Sequence, residues 1–171
     1  MSLLSSHVAL PREGHLEAAI NVMTHIGQRY DSRLVYDPSH QEIDDSVFKE
    51  CDWSEFYRDA KVAIPVNAPE PHEKEVDIHM FVDSDHAWDK VSCRLRSVFL
   101  IYVNTALVQW FSKKQSTVET SVFGAEFVST KHGIDTLRHL RYKLRMMGIP
   151  ILSSLYIYGD NISVVHNTSR P

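Results

Sequence analysis

Residues 76–83 read Val-Asp-Ile-His-Met-Phe-Val-Asp, with Val76, Ile78, Met80 and Val82 alternating with Asp77, His79, Phe81 and Asp83. A period of two is the mark of a β-strand with one apolar face, and this strand ends on an aspartate. Downstream, residues 94–103 and 107–112 are two further apolar segments, joined by Asn104-Thr105, a dipeptide suited to a hairpin turn. A helical stretch follows from about Thr120 to Met147, closed by Gly148 and Pro150 in the usual stop order. Leu155-Tyr-Ile-Tyr then makes a fourth strand before Gly159-Asp160-Asn161. The order β-β-β-α-β brings the last strand beside an earlier one through a helical crossover, which predicts an α/β fold.

Upstream of residue 76 the pattern is weaker. Pro11 suits the first turn of a helix, and Leu16, Ile20, Met23, Gly27 and Tyr30 recur along one face of it, an N-terminal helical extension. Arg33 to Pro38 reads as a short strand or extended segment that the proline ends. Three of the seven prolines fall between Val62 and Pro71, a linker. Cut after Glu75, the chain is asymmetric: residues 1–75 carry a net charge of −7 and residues 76–171 carry +3, so the second part is the one expected to meet a polyanion. Asp44-Asp45 lacks the surroundings of a polymerase aspartate pair and reads as a solvated acidic turn.

With 43% hydrophobic and 23% charged residues the composition is that of a globular protein, which excludes wholesale disorder and low-complexity architectures. No apolar run approaches a membrane span and no signal peptide is visible, so an intracellular protein, cytoplasmic or nuclear, without membrane partners is expected. Cys51 and Cys93 fit neither a disulfide framework nor a CxxC metal site and read as free thiols.

Three acids of the basic part stand where packing alone would not choose an acid. Asp83 and Asp160 each end a strand, and if those strands are parallel neighbours their carboxylates meet at the carboxyl end of the sheet, where α/β folds place their sites. At about 100° per residue, Glu126 falls at the helical angle of Leu144, among Phe123, Leu137 and Leu140. Burying one carboxylate is costly and gathering three adds mutual repulsion, a conflict that a divalent cation resolves. Oxygen ligands favour Mg²⁺ or Mn²⁺. Other roles stay open: a strand-end turn for Asp83, a helix N-cap for Asp160, a helix-start position for Glu126.

Phe81-Val-Asp-Ser-Asp-His-Ala-Trp, Gln109-Trp-Phe-Ser-Lys-Lys-Gln-Ser-Thr-Val, Ala125-Glu-Phe and Tyr158-Gly-Asp-Asn resemble, in this order, the ribonuclease H domain of copia-type LTR retrotransposon polyproteins. His7-Val-Ala-Leu-Pro-Arg-Glu-Gly-His-Leu is similar to the tail of the reverse transcriptase region preceding that domain. The resemblance implies a ribonuclease H-like mixed sheet over residues 76–171, with residues 1–75 as a reverse transcriptase tail, connection remnant and linker. It also implies metal-dependent hydrolysis of the RNA strand of RNA–DNA hybrids, with Asp83, Glu126 and Asp160 as catalytic metal ligands for two Mg²⁺ ions. Two departures matter. The family carries a further aspartate downstream on a closing helix, and the sequence ends at Pro171 without it, so the domain is expected to lack its last strand and helix. Ser121-Val-Phe-Gly-Ala-Glu126 keeps only the final acid of the family's Ser-Ser-Thr-Glu-Ala-Glu run. Weak or lost cleavage is therefore expected, and a non-catalytic nucleic-acid-binding or interaction module is the alternative.

Lys131, Arg138, Arg141 and Arg145 fall within about 80° of one another on the long helix, a basic strip able to hold duplex phosphates or to serve as an ordinary solvated face. Lys113 and Lys114, placed in the loop before that helix, could extend it. His79 and His86, near Asp83 in sequence, could assist proton transfer or be there by chance, given ten histidines. Trp88, Trp110 and Phe111 could stack on bases, although alternation predicts that Trp110 or Phe111 packs in the core.

Overall fold

The computed structural model describes residues 4, 7–42, 44, 46, 52–58, 63–72, 74–85, 95–151 and 154–169. Asp45, Cys51, His86, Trp88 and Cys93, named above, lie outside them. The chain forms two compact units, residues 1–35 and residues 36–171.

The first unit is built on helix α1 (Glu13–Gln28). The helix begins two residues beyond Pro11: Arg12 takes the N-cap position and its backbone N–H donates to His15 Nδ1 at 3.2 Å, while the His7 ring stacks on His15 at 4.1 Å. No residue of α1 is buried, and the predicted apolar stripe of Leu16, Ile20 and Met23 is more than half exposed.

In the second unit a short helix α2 (Ser54–Tyr57) precedes strands β1 (Ile78–Asp85), β2 (Arg96–Val103) and β3 (Ala106–Lys114), helix α3 (Val122–Met146), strand β4 (Tyr156–Gly159) and helix α4 (Ile162–Thr168). The sheet runs β3-β2-β1-β4, antiparallel except for the parallel pair of β1 with β4. This is a mixed α/β sheet with a helical crossover. Met80, Val82, Phe99 and Ile101 alternate onto one face and meet Leu137 of α3 in a core completed by Ile78 and Ile151. Helix and sheet approach closely at Gly133, where a Cβ would overlap the Met80 thioether.

The stop signals of α3 act as a Schellman motif. Gly148, at φ +77°, donates to the Arg145 carbonyl at 3.0 Å, and Ile149 donates to Leu144 at 3.0 Å. The hairpin residue Asn104, at φ +54°, is buried. Its side-chain Oδ1 accepts from Asp77 N–H, and its Nδ2 donates to the Pro38 carbonyl.

That last bond belongs to a set tying residues up to Val76 to the β1–β2–β3 strands and to the segment that follows α3. Thr105 N–H donates to Ser39 O, His40 Nδ1 lies 2.6 Å from Asp77 Oδ2, His72 N–H donates to Gly148 O, and Val76 N–H donates to Pro150 O. The compact units accordingly divide between Val35 and Tyr36, whereas charge and proline content cut the sequence after Glu75.

β3 is longer than its apolar run suggests. Lys113 and Lys114, expected in a loop, pair with Ser97 and Arg96, because ladder hydrogen bonds continue where hydrophobicity stops. Among the described residues no helix is long and apolar enough to cross a membrane.

Candidate metal centre

The last parallel pair between β1 and β4 is Val82 with Gly159, so Asp83 follows it within β1 and Asp160 just beyond the end of β4. Asp160 has no capping duty. Asn161 is the N-cap of α4, its Oδ1 accepting from Ser163 N–H at 3.1 Å and Val164 N–H at 3.2 Å. Nor does Glu126 cap α3, since Ser121 does so by accepting from Gly124 N–H at 3.0 Å. Glu126 instead lies on the buried stripe of α3 with Ser129, Thr130, Gly133 and Leu137 and is 5% exposed. Phe123, expected on that stripe, is exposed at its margin and stacks with Phe127.

One carboxylate oxygen each from Asp83, Glu126 and Asp160 lies within 4.8 Å of the others. Two of these acids are exposed and Glu126 is buried, so access and desolvation are combined at one point. Burial, and then the negative charges of Asp160 and Asp83, push the Glu126 carboxyl above its ordinary value. Ser84, buried on the next residue of β1, partly offsets this, although its hydroxyl makes no hydrogen bond of good geometry. Three oxygen donors without nitrogen or sulfur are a hard-cation set, and an ion there would relieve both the repulsion and the desolvation cost. A cavity of about 700 Å³ opens beside Glu126, bounded by α3, β4 and α4.

Sequence reasoning missed the support beneath Glu126. Gln115, buried just beyond β3, donates through Nε2 to the Ala125 carbonyl at 3.1 Å and to the hydroxyls of Ser97 at 3.0 Å and Ser129 at 3.3 Å. Ser129 in turn donates to Ser97 at 2.8 Å. The signal was present, because Gln115 closes the Trp-x-Ser-Lys-Lys-Gln element, but that element reads first as two surface lysines.

The remaining candidates divide. Arg138, Arg141 and Arg145 line one cavity of about 500 Å³ on α3, whereas Lys131, Lys113 and Lys114 do not line it. The two β3 lysines belong to the edge strand opposite β4. His79 is 3% exposed and lies flat on Tyr102 with rings 5.0 Å apart. Burial lowers its pKa, with Asp77 opposing weakly, and four strand residues put it roughly 13 Å along β1 from Asp83. It is a buried histidine packed among Phe81, Tyr102 and Tyr158, on the strand face that alternates with the Met80 and Val82 core. Phe111 stacks on Phe99 at 4.6 Å, while Trp110 on the other face is 65% exposed. Asp44, the described member of the acidic pair, is exposed and accepts from the backbone and hydroxyl of Ser46.

No protein-family profile matches the chain, and no solved structure does. Over 96 residues, 56% of its length, it is 26% identical to the Retrovirus-related Pol polyprotein from transposon RE1 of Arabidopsis thaliana, and the match spans 6% of that polyprotein. The likeness supports a retrotransposon polyprotein origin for this chain.

Proposed function

We propose that residues 76–171 are a ribonuclease H-like domain whose Asp83, Glu126 and Asp160 hold Mg²⁺ or Mn²⁺ for hydrolysis of the RNA strand of an RNA–DNA hybrid. The observation that carries this reading is the convergence of the three carboxylates within 4.8 Å at the carboxyl end of a mixed sheet. The β-β-β-α-β order, the copia-type motifs and the polyprotein likeness agree with it. Bound there, a divalent cation supplies an activated water and charge stabilisation at the phosphate. The chain's own part is positional. Adjacent strands fix Asp83 and Asp160 side by side, and α3, anchored through Gln115, holds Glu126 against them. Among the described residues three carboxylates converge, and two ions about 3.5–4 Å apart are held more firmly by a larger anionic set, so slow turnover is expected from these three alone.

The second reading, a nucleic-acid-binding module without turnover, is favoured by one observation: the arginine-lined cavity lies away from the carboxylates. A labelled RNA–DNA hybrid incubated with Mg²⁺ or Mn²⁺ separates the two. Slow, metal-dependent cleavage that disappears in Glu126→Gln supports the nuclease. Binding without cleavage supports the module, and neither binding nor cleavage rejects both.

A further inference from the structure

Arg138, Arg141 and Arg145 follow one another at steps of three and four on α3, which places three arginines along one face of the helix. They share the cavity of about 500 Å³, several turns from Glu126. Like charges at this spacing repel, and among the described residues no ion pair neutralises them. Asp135 also lines the cavity but lies in no ion pair with them, and His139 is occupied through Nδ1 with the Asp135 backbone carbonyl at 2.7 Å. Arg141 is the group least at ease. Its Nε is buried without an acceptor, and burial followed by the charge of Arg145 holds its pKa below the ordinary arginine value. A folded chain that gathers three arginines and leaves an inward N–H unanswered is short of one ligand type, an anion with several oxygens. The planar forks of arginine match phosphate in a bidentate manner, and three positive charges suit a phosphate better than a singly charged carboxylate.

We infer that the Arg138-Arg141-Arg145 cavity is a phosphate-binding pocket, separate from the carboxylate centre, that takes the phosphate group of a nucleic-acid backbone or of a soluble phosphate ester. The pocket itself does not depend on the nuclease reading. Only its backbone source rests on the nucleic-acid reading above.

The test is made on the full chain in EDTA, so that the carboxylate centre contributes no metal. Inorganic phosphate should raise the melting temperature above that in chloride of equal ionic strength. Arg141→Gln and Arg145→Gln should each remove most of that rise, while Asp83→Asn keeps it. Without phosphate, Arg141→Gln should melt no lower than the parent, because it removes a partly buried, unpaired charge. Affinity for a short RNA–DNA hybrid, read by fluorescence anisotropy, should fall about tenfold in Arg141→Gln with a salt slope shallower by about one. A phosphate response that needs Arg141 beside an unchanged hybrid affinity supports the pocket and assigns it to a soluble phosphate ester. Equal phosphate responses in the parent and both arginine variants overturn the pocket, whatever the outcome for hybrid cleavage.

Discussion

Asp83 and Asp160 stand one residue beyond the last parallel pair of β1 and β4, so a single sheet register sets the two carboxylates beside each other. Neither acid needs a neighbour in sequence to reach this place. What they need is the crossover through α3, which also delivers Glu126.

Divalent metal should therefore stabilise the folded chain. Ligation relieves repulsion that exists only when the sheet is formed, and an ion at a hundred times its Kd contributes about 2.7 kcal/mol. For a chain of this size that is a melting shift of roughly 5–10 °C. Asp83→Asn should abolish most of it in a calorimetric scan with Mg²⁺ or Mn²⁺, and an undiminished shift would mean that the ions bind elsewhere.

Without metal, the raised pKa of Glu126 has the opposite sign from that of a paired carboxylate. The folded state holds the proton more tightly than the unfolded state, so this group favours folding at low pH. That contribution is lost as pH climbs from the ordinary value near 4.5 through the raised folded value. Subtracting the urea stability of Glu126→Gln from that of the parent in EDTA should give a curve that falls across this window and is level above it. Saturating Mg²⁺ should flatten the fall, and a difference curve that rises with pH would contradict the assignment.

Gln115→Leu should lower stability by about 1–3 kcal/mol, since it removes the buried hydrogen bonds that Nε2 gives to the Ala125 carbonyl and to the Ser97 and Ser129 hydroxyls. The urea midpoint should drop with an unchanged slope. Because Ala125 and Ser129 flank Glu126, the metal-induced melting shift should shrink as well, which a purely distant packing defect would not produce.

Gly148→Ala should cost about 1–2 kcal/mol for placing an L side chain at φ +77°, and more if the His72 ring, 2.8 Å from the new Cβ, does not yield. Gly148→Asn should be milder at the backbone, since asparagine tolerates the left-handed region better than alanine does. Both effects are measured by urea unfolding.

The sheet was legible because each element carries its own period. Strict alternation over 76–83 and the Gly148, Pro150 stop depend on neighbours in sequence alone. Glu126 was legible for a related reason: a charged residue on an apolar helical stripe is a local contradiction that only a tertiary partner resolves. The sequence could not disclose which surface residues the sheet recruits. Ser39, His40 and His72 fall where the sequence shows no period, yet they bond to Thr105, Asp77 and Gly148, because pairing of isolated polar groups across long separations leaves no periodic trace. The same holds for the arginines. Their common face was computable, whereas the cavity they line also takes in Ala63 and Pro65, far from α3 in sequence.

Helix α3 has one more consequence. Glu126 lies in its second turn and Arg141 near its far end, roughly 22 Å apart along the axis at about 1.5 Å per residue. An unbroken helix of this kind is a rigid ruler. A duplex gripped at the arginines and engaged at the carboxylates would be registered by that length, and adding one helical turn, about 5.4 Å, between them would shift it by more than the ~3.4 Å step along a strand. The interval between grip and cut would then be written in helix length, with no base ever read.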